Sequence, residues 1–169
     1  MLNTYHLFAV PMLHGKFVVP VDLHKKILKF VKEEYKVQES QISCINGFQT
    51  HDDFDGKEEL NSELNLFFNN YLRLNIEYAW LNVLGKHSYN IPHKHSGDGV
   101  SHSGILYLSV ENTAITFVKD GDIFEVTPKL FEFLIFPYDL VHYVLPLEKN
   151  EKRISYAFNL RKIGEKNVT

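Results

Sequence analysis

The chain has 169 residues, 44% of them apolar and 14% aromatic, and a formal charge of −3. That length suits one domain burying roughly 70% of its unfolded surface, and no Lys/Arg block is long enough to form an electrostatic footprint for nucleic acid. Cys44 is the only cysteine, which excludes a disulfide framework and a cysteine-built metal site. The first residues, Met1-Leu2-Asn3-Thr4-Tyr5-His6, lack a basic signal-peptide region, and no apolar run approaches a membrane span. The expectation is a soluble cytosolic protein.

In chain order, Phe8–Leu13 and Lys16–Val19 read as short strands separated by His14-Gly15. Val21–Tyr35 reads as an amphipathic helix: Leu23, Ile27, Phe30, Val31 and Tyr35 recur at helical spacing opposite a lysine-rich face, and Asp22 is the candidate N-cap after Pro20. Gln49–Gly56 reads as a polar loop. A second helix is predicted over Lys57–Leu74, with Leu60, Leu64, Phe67, Phe68 and Tyr71 as its apolar stripe. From Ile76 onward short strands follow one another: Ile76–Leu84, Ile105–Val110, Ile115–Lys119, Ile123–Val126, Phe131–Phe136, Val141–Leu145 and Ile154–Leu160. Asp120-Gly121-Asp122 marks a hairpin between two of them. Strands at this spacing behind an N-terminal helical region predict a mainly β protein, a sandwich or jelly roll flanked by helices, with its site inside the open barrel end.

Chemistry concentrates in the β-rich region. His93 and His95 sit one residue apart on an extended segment, where alternation directs both side chains to one face. His142 follows the Phe136-Pro137 turn and can complete one side of a metal site. The plain alternative is two polar strand residues and one satisfied core histidine. Three neutral imidazoles on one face leave the opposite face open, as in non-haem iron oxygenases. Metal should therefore be released below roughly pH 6.5 as the rings protonate. Arg153 and Ser155 share one strand face, and a guanidinium fork beside a hydroxyl suits a carboxylate held bidentately. His6, His14, His24 and His51 lack partners at useful spacing and read as surface or loop residues, while His87 and His102 flank the site.

Five elements in order, Trp80/Asn82, Asn90/His93/His95, Ser103-Gly104 with Tyr107, Phe136-Pro137 with His142, and Arg153-Ile154-Ser155 with Phe158-Asn159, span about residues 78–160. This pattern resembles the Fe(II)/2-oxoglutarate-dependent dioxygenase superfamily, and more narrowly the small oxygenases of bacteria and phages. The resemblance implies a double-stranded β-helix (cupin-like jelly roll) over about 76–161, supported by a helical region over about 1–75, in a single domain. It implies Fe(II) held by His93, His95 and His142, and 2-oxoglutarate held by Arg153 and Ser155, with Asn82 and Tyr107 beside it. The implied reaction oxidises a small-molecule or protein substrate with molecular oxygen, releasing succinate and carbon dioxide.

Two departures stand out. Most of the superfamily has an acidic residue where His95 stands, so either three histidines serve or Asp98 reaches in from its loop. Leu130-Phe131-Glu132 occupies a turn where the family usually shows glycine. A cupin-type metal enzyme or sensor also uses His-x-His with a later His, but does not require Arg153. A non-catalytic jelly-roll binding module, with Tyr89, Tyr138 and Tyr143 as an aromatic platform, is the other alternative. The substrate pocket is expected to be lined by the Gln49–Gly56 and Ser96–His102 loops.

Overall fold

The computed structural model describes residues 10–36, 40–41, 43–50, 53–97, 99–110 and 112–164. In chain order the elements are β1 (Leu13–Lys16), α1 (Val21–Glu34), β2 (Ser40–Gln41), β3 (Cys44–Ile45), β4 (Phe48–Gln49), α2 (Lys57–Leu72), β5 (Leu74–Leu84), β6 (Tyr89–His93), β7 (His102–Ser109), β8 (Ile115–Lys119), β9 (Asp122–Val126), β10 (Glu132–Pro137), β11 (Val141–Val144) and β12 (Arg153–Lys162). They form two six-stranded antiparallel sheets, β1-β10-β7-β12-β5-β4 and β2-β3-β6-β11-β8-β9. This is the expected jelly roll.

The period-2 alternation of the major sheet sorts its side chains into two cores. On one face Ala79, Leu81, Val83, Leu106, Leu108, Phe133, Ile135, Ile154, Tyr156, Phe158 and Leu160 pack against Leu23, Ile27 and Val31 of α1 and Leu60, Leu64 and Phe68 of α2. The alternate residues face the second sheet, where Leu84, Tyr107, Leu134 and Phe136 meet Ile115, Phe117 and Val144. The helices thus seal one side of the major sheet, and the space between the sheets is left for the polar residues of β5 and β12. Gly104 is needed at its place in β7 because a Cβ there would lie 2.1 Å from Cε2 of the buried Phe158 ring.

Several local expectations change. No side chain caps α1: Pro20 holds the N-cap position and Asp22 lies in the first turn. The second helix stops at Leu72 because Arg73 turns left-handed at φ 57°, which frees Leu74 to begin β5. Tyr71, placed in the apolar stripe, is 73% exposed. His14-Gly15 does not separate a pair of strands but lies inside β1, where the absent Cβ of Gly15 admits the Phe133 ring. The start of the expected Phe8–Leu13 strand lies outside the described residues. The Asp120-Gly121 hairpin forms as read, both residues having positive φ and Lys119 pairing with Asp122.

Candidate metal centre

His142 sits in the middle of the second sheet, on β11 between β6 and β8, and pairs directly with His93 at the end of β6. The register explains how His93 reaches the interior. Asn90 pairs with Val144 and His93 with His142, so β6 carries one extra residue across that interval. This bulge falls at Ile91-Pro92, where the missing proline N–H removes a ladder donor, and it returns His93 to the face of Asn90. His95 lies beyond the end of β6, its backbone N–H donating to the Tyr138 carbonyl at 2.8 Å. Strict alternation therefore does not deliver the pair; a bulge and a short loop do.

The three rings meet. Their ligand atoms lie within 4.8 Å of one another, with centroid separations of 5.4 Å for His93–His95, 4.3 Å for His93–His142 and 5.2 Å for His95–His142. Each Nδ1 faces an oxygen: Ile91 O at 2.8 Å for His93, Asn159 Oδ1 at 2.7 Å for His95, and Leu140 O at 2.9 Å for His142. An oxygen acceptor fixes the proton on Nδ1 and leaves the Nε2 lone pair as the available donor. Burial holds all three rings neutral. It lowers His93 and His95 below the usual imidazole range and, with the repulsion a second proton on His93 would add, takes His142 down to about 3. A pocket of neutral nitrogen donors fits a first-row divalent metal. The pH 6.5 limit for metal release moves correspondingly towards acid, since protons compete less well for depressed imidazoles.

Arg153 lies in the same cavity at 3% exposure. Its guanidinium donates to Thr113 O and to the Tyr107 hydroxyl, the latter at 3.4 Å, and stands 5.1 Å from the Tyr107 ring centre. Burial raises the Tyr107 phenol, which stays protonated there. Ser155 and Asn82 are register partners on β12 and β5. Both line the cavity, as do Trp80, Gln49, Asn90 and Tyr143. The cavity between the sheets has a volume of about 30 Å³. An amide chain runs along its wall: Asn90 donates to Ser43 O at 3.3 Å and Asn82 to Asn90 Oδ1 at 3.0 Å.

Every proposed site residue thus borders one space, His93, His95, His142, Arg153, Ser155 and Asn82 by lining it and Tyr107 through its contact with Arg153. Asp98 lies outside the described residues, as do His6 and His51. His87, in an exposed turn at φ 65°, and His102, at the start of β7, do not border the cavity. His14 sits 3.1 Å from Glu132. His24 is not a plain surface residue, because its Nε2 lies 2.7 Å from Leu108 O and its ring meets Phe131 edge-on at 4.9 Å. Phe131 itself takes φ 64°, so this turn keeps the left-handed backbone that glycine favours while carrying a phenylalanine. Of the two expected pocket loops, the first contributes Gln49 to the cavity, while Phe54 turns away into the helix-side core. Asn159 and Ser103 were legible as pattern residues but without a role.

The fold is that of the Fe(II)/2-oxoglutarate oxygenases. Over 92% of this chain and 94% of the other, it matches a Pseudomonas putida prolyl-4-hydroxylase at a TM-score of 0.64 and 18% identity. The α-ketoglutarate-dependent epimerase SnoN from nogalamycin biosynthesis gives 0.69 at 14% identity, covering 90% of this chain and 78% of that one. The collagen prolyl hydroxylase of Paramecium Bursaria Chlorella virus-1, solved with 2-oxoglutarate, gives 0.62 at 14% identity over 90% and 96%. No protein-family model and no curated protein sequence matches the chain. Among the described residues no helix is long and apolar enough to cross a membrane.

Proposed function

We propose that this protein is a single-domain non-haem Fe(II)- and 2-oxoglutarate-dependent oxygenase that oxidises an organic substrate and releases succinate and carbon dioxide. The observation that carries this reading is three neutral imidazoles, each with Nδ1 engaged, sharing one cavity with a buried guanidinium. Bound Fe(II) with 2-oxoglutarate and dioxygen supplies the oxidising power that no side chain of the chain possesses. His93, His95 and His142 hold the metal through Nε2. Arg153 takes the distal carboxylate of the keto acid as a fork, and Ser155 adds a hydroxyl on the same strand face. Tyr107 fixes the guanidinium plane, and Asn82 borders the cosubstrate through its amide. Ile115, Phe136 and Val144 make the apolar wall that keeps water from the reacting centre.

Structures of this fold include a prolyl hydroxylase in complex with a hypoxia inducible factor peptide fragment and HygX with hygromycin B bound, which supports a peptide or a small molecule as the substrate class. The test is succinate formation from 2-oxoglutarate with Fe(II) and oxygen, run without a prime substrate. Slow uncoupled turnover that disappears in Arg153→Gln supports the oxygenase. Metal binding with no consumption of 2-oxoglutarate replaces it with the cupin-type reading, which has no use for Arg153. If neither Fe(II) nor Mn(II) binds at micromolar levels near pH 7, the non-catalytic module is correct.

A further inference from the structure

We propose that Asn159, backed by Ser103, selects imidazole over carboxylate at the third ligand position, so that the cavity is a built three-nitrogen centre for divalent cations that favour nitrogen. This rests on the oxygenase reading and deepens it. Asn159 Oδ1 receives two donors at once, the His95 Nδ1–H at 2.7 Å and the Ser103 hydroxyl at 3.1 Å. Ser103 is fully buried, on the strand adjacent to Asn159, and the two are register partners between β7 and β12. Two converging donors hold the amide with its oxygen towards position 95.

That oxygen is a suitable partner for a ring N–H and a poor one for an anion. An aspartate in place of His95 would put a carboxylate oxygen close to where Nδ1 now lies, facing Asn159 Oδ1, acceptor against acceptor. It would also fall short of the point that Nε2 reaches. His93 and His142 use backbone carbonyls for the same orienting purpose, whereas His95, beyond the strand end, has a side-chain partner drawn from the opposite sheet. Trp80 completes the cradle by stacking on a face of the same ring, centroids 5.5 Å apart and planes 27° from parallel. Position 95 is thus shaped for an imidazole at one edge, by Asn159, and on one face, by Trp80. With three neutral donors the protein contributes no negative charge to the metal through its ligands, so selectivity follows nitrogen affinity and favours Co(II) over Mn(II).

Trp80 is the only tryptophan in the chain, and its stacking on His95 makes its fluorescence a direct reporter of metal uptake. The experiment titrates Co(II) and Mn(II) into metal-free wild type, Asn159→Ala, Asn159→Asp and His95→Asp, with the thermal midpoint of each metal-free protein measured alongside. Wild type should bind Co(II) more tightly than Mn(II). Asn159→Ala should bind both about 10- to 100-fold more weakly, Asn159→Asp should bind at least as tightly as wild type because it keeps the acceptor, and His95→Asp should bind more weakly despite its added charge. Wild-type affinity in Asn159→Ala, or tighter binding by His95→Asp, overturns the proposal. So does failure of Asn159→Asp to restore binding, or a loss that only tracks a lowered metal-free midpoint. No uptake by the wild type refutes the oxygenase reading itself, a result distinct from all of these.

Discussion

Acid should destabilise the metal-free protein through His142 as soon as pH falls below roughly 6.5. The ring is 4% exposed, packed 4.9 Å from the Phe136 ring, and held neutral down to about pH 3, whereas in the unfolded chain it takes up its proton near 6.5. Because the unfolded state binds more protons, stability falls as pH drops from 6.5 towards 3, and is unaffected by this group above 6.5. At pH 5 the unfolded ring is charged and the folded ring is not. About 1.5 pH units at about 1.4 kcal/mol per unit gives a loss of about 2 kcal/mol. His93 and His95 are shifted in the same direction and add to it. Urea unfolding of metal-free protein at pH 7 and pH 5 measures the difference. His142→Leu, which keeps an apolar side chain in the same surroundings, should lose about 2 kcal/mol less than wild type. Equal losses in the two proteins, or a wild-type stability that does not change between the two pH values, would refute the reasoning.

Arg153→Gln should weaken 2-oxoglutarate by about 2–3 kcal/mol, the loss of a charge-assisted bidentate pair, while metal affinity is unchanged; calorimetric titration of each separates the two, and equal effects on both contradict the division of roles. Gly104→Ala should destabilise by about 1–3 kcal/mol in thermal unfolding, since its Cβ meets a Phe158 ring that is enclosed by Phe68 and Tyr156. A neutral result would mean that β7 can shift there. His24→Ala should cost about 1–2 kcal/mol through the lost Leu108 bond and Phe131 contact, with metal uptake intact, so a loss of metal binding would count against the separation of the helix-side core from the site.

The candidate site was legible because histidine and arginine on strands are chemically specific residue types. His142, after Phe136-Pro137, and Arg153, two residues from Ser155, border the same cavity in the structure. The route by which His93 and His95 converge was not legible. Alternation places them on one face of a strand, but the strand ends at His93, and a bulge at Pro92 sets the inward direction. That bulge is visible only once the partner strand is known, because register is a property of two strands and not of one. The same reason hides the short pairings of β2, β3 and β4, two residues each, which are too brief to carry a periodic signal. His24 misled because helical periodicity places it next to the apolar stripe without revealing that Leu108 O lies within reach across the helix–sheet interface. Asn159 gave a residue type but no partner, since 64 positions separate it from His95.

Three Nε2 atoms and one guanidinium are held to serve a single small assembly between the sheets. Crystals grown with Mn(II) and 2-oxoglutarate test this most directly, through the anomalous signal of the ion. One peak is expected about 2.1 Å from Nε2 of His93, His95 and His142, with the keto acid's far carboxylate on Arg153. An ion seated instead among the exposed carboxylates around Asp55 and Glu59, or a diacid that leaves Arg153 untouched, would contradict it.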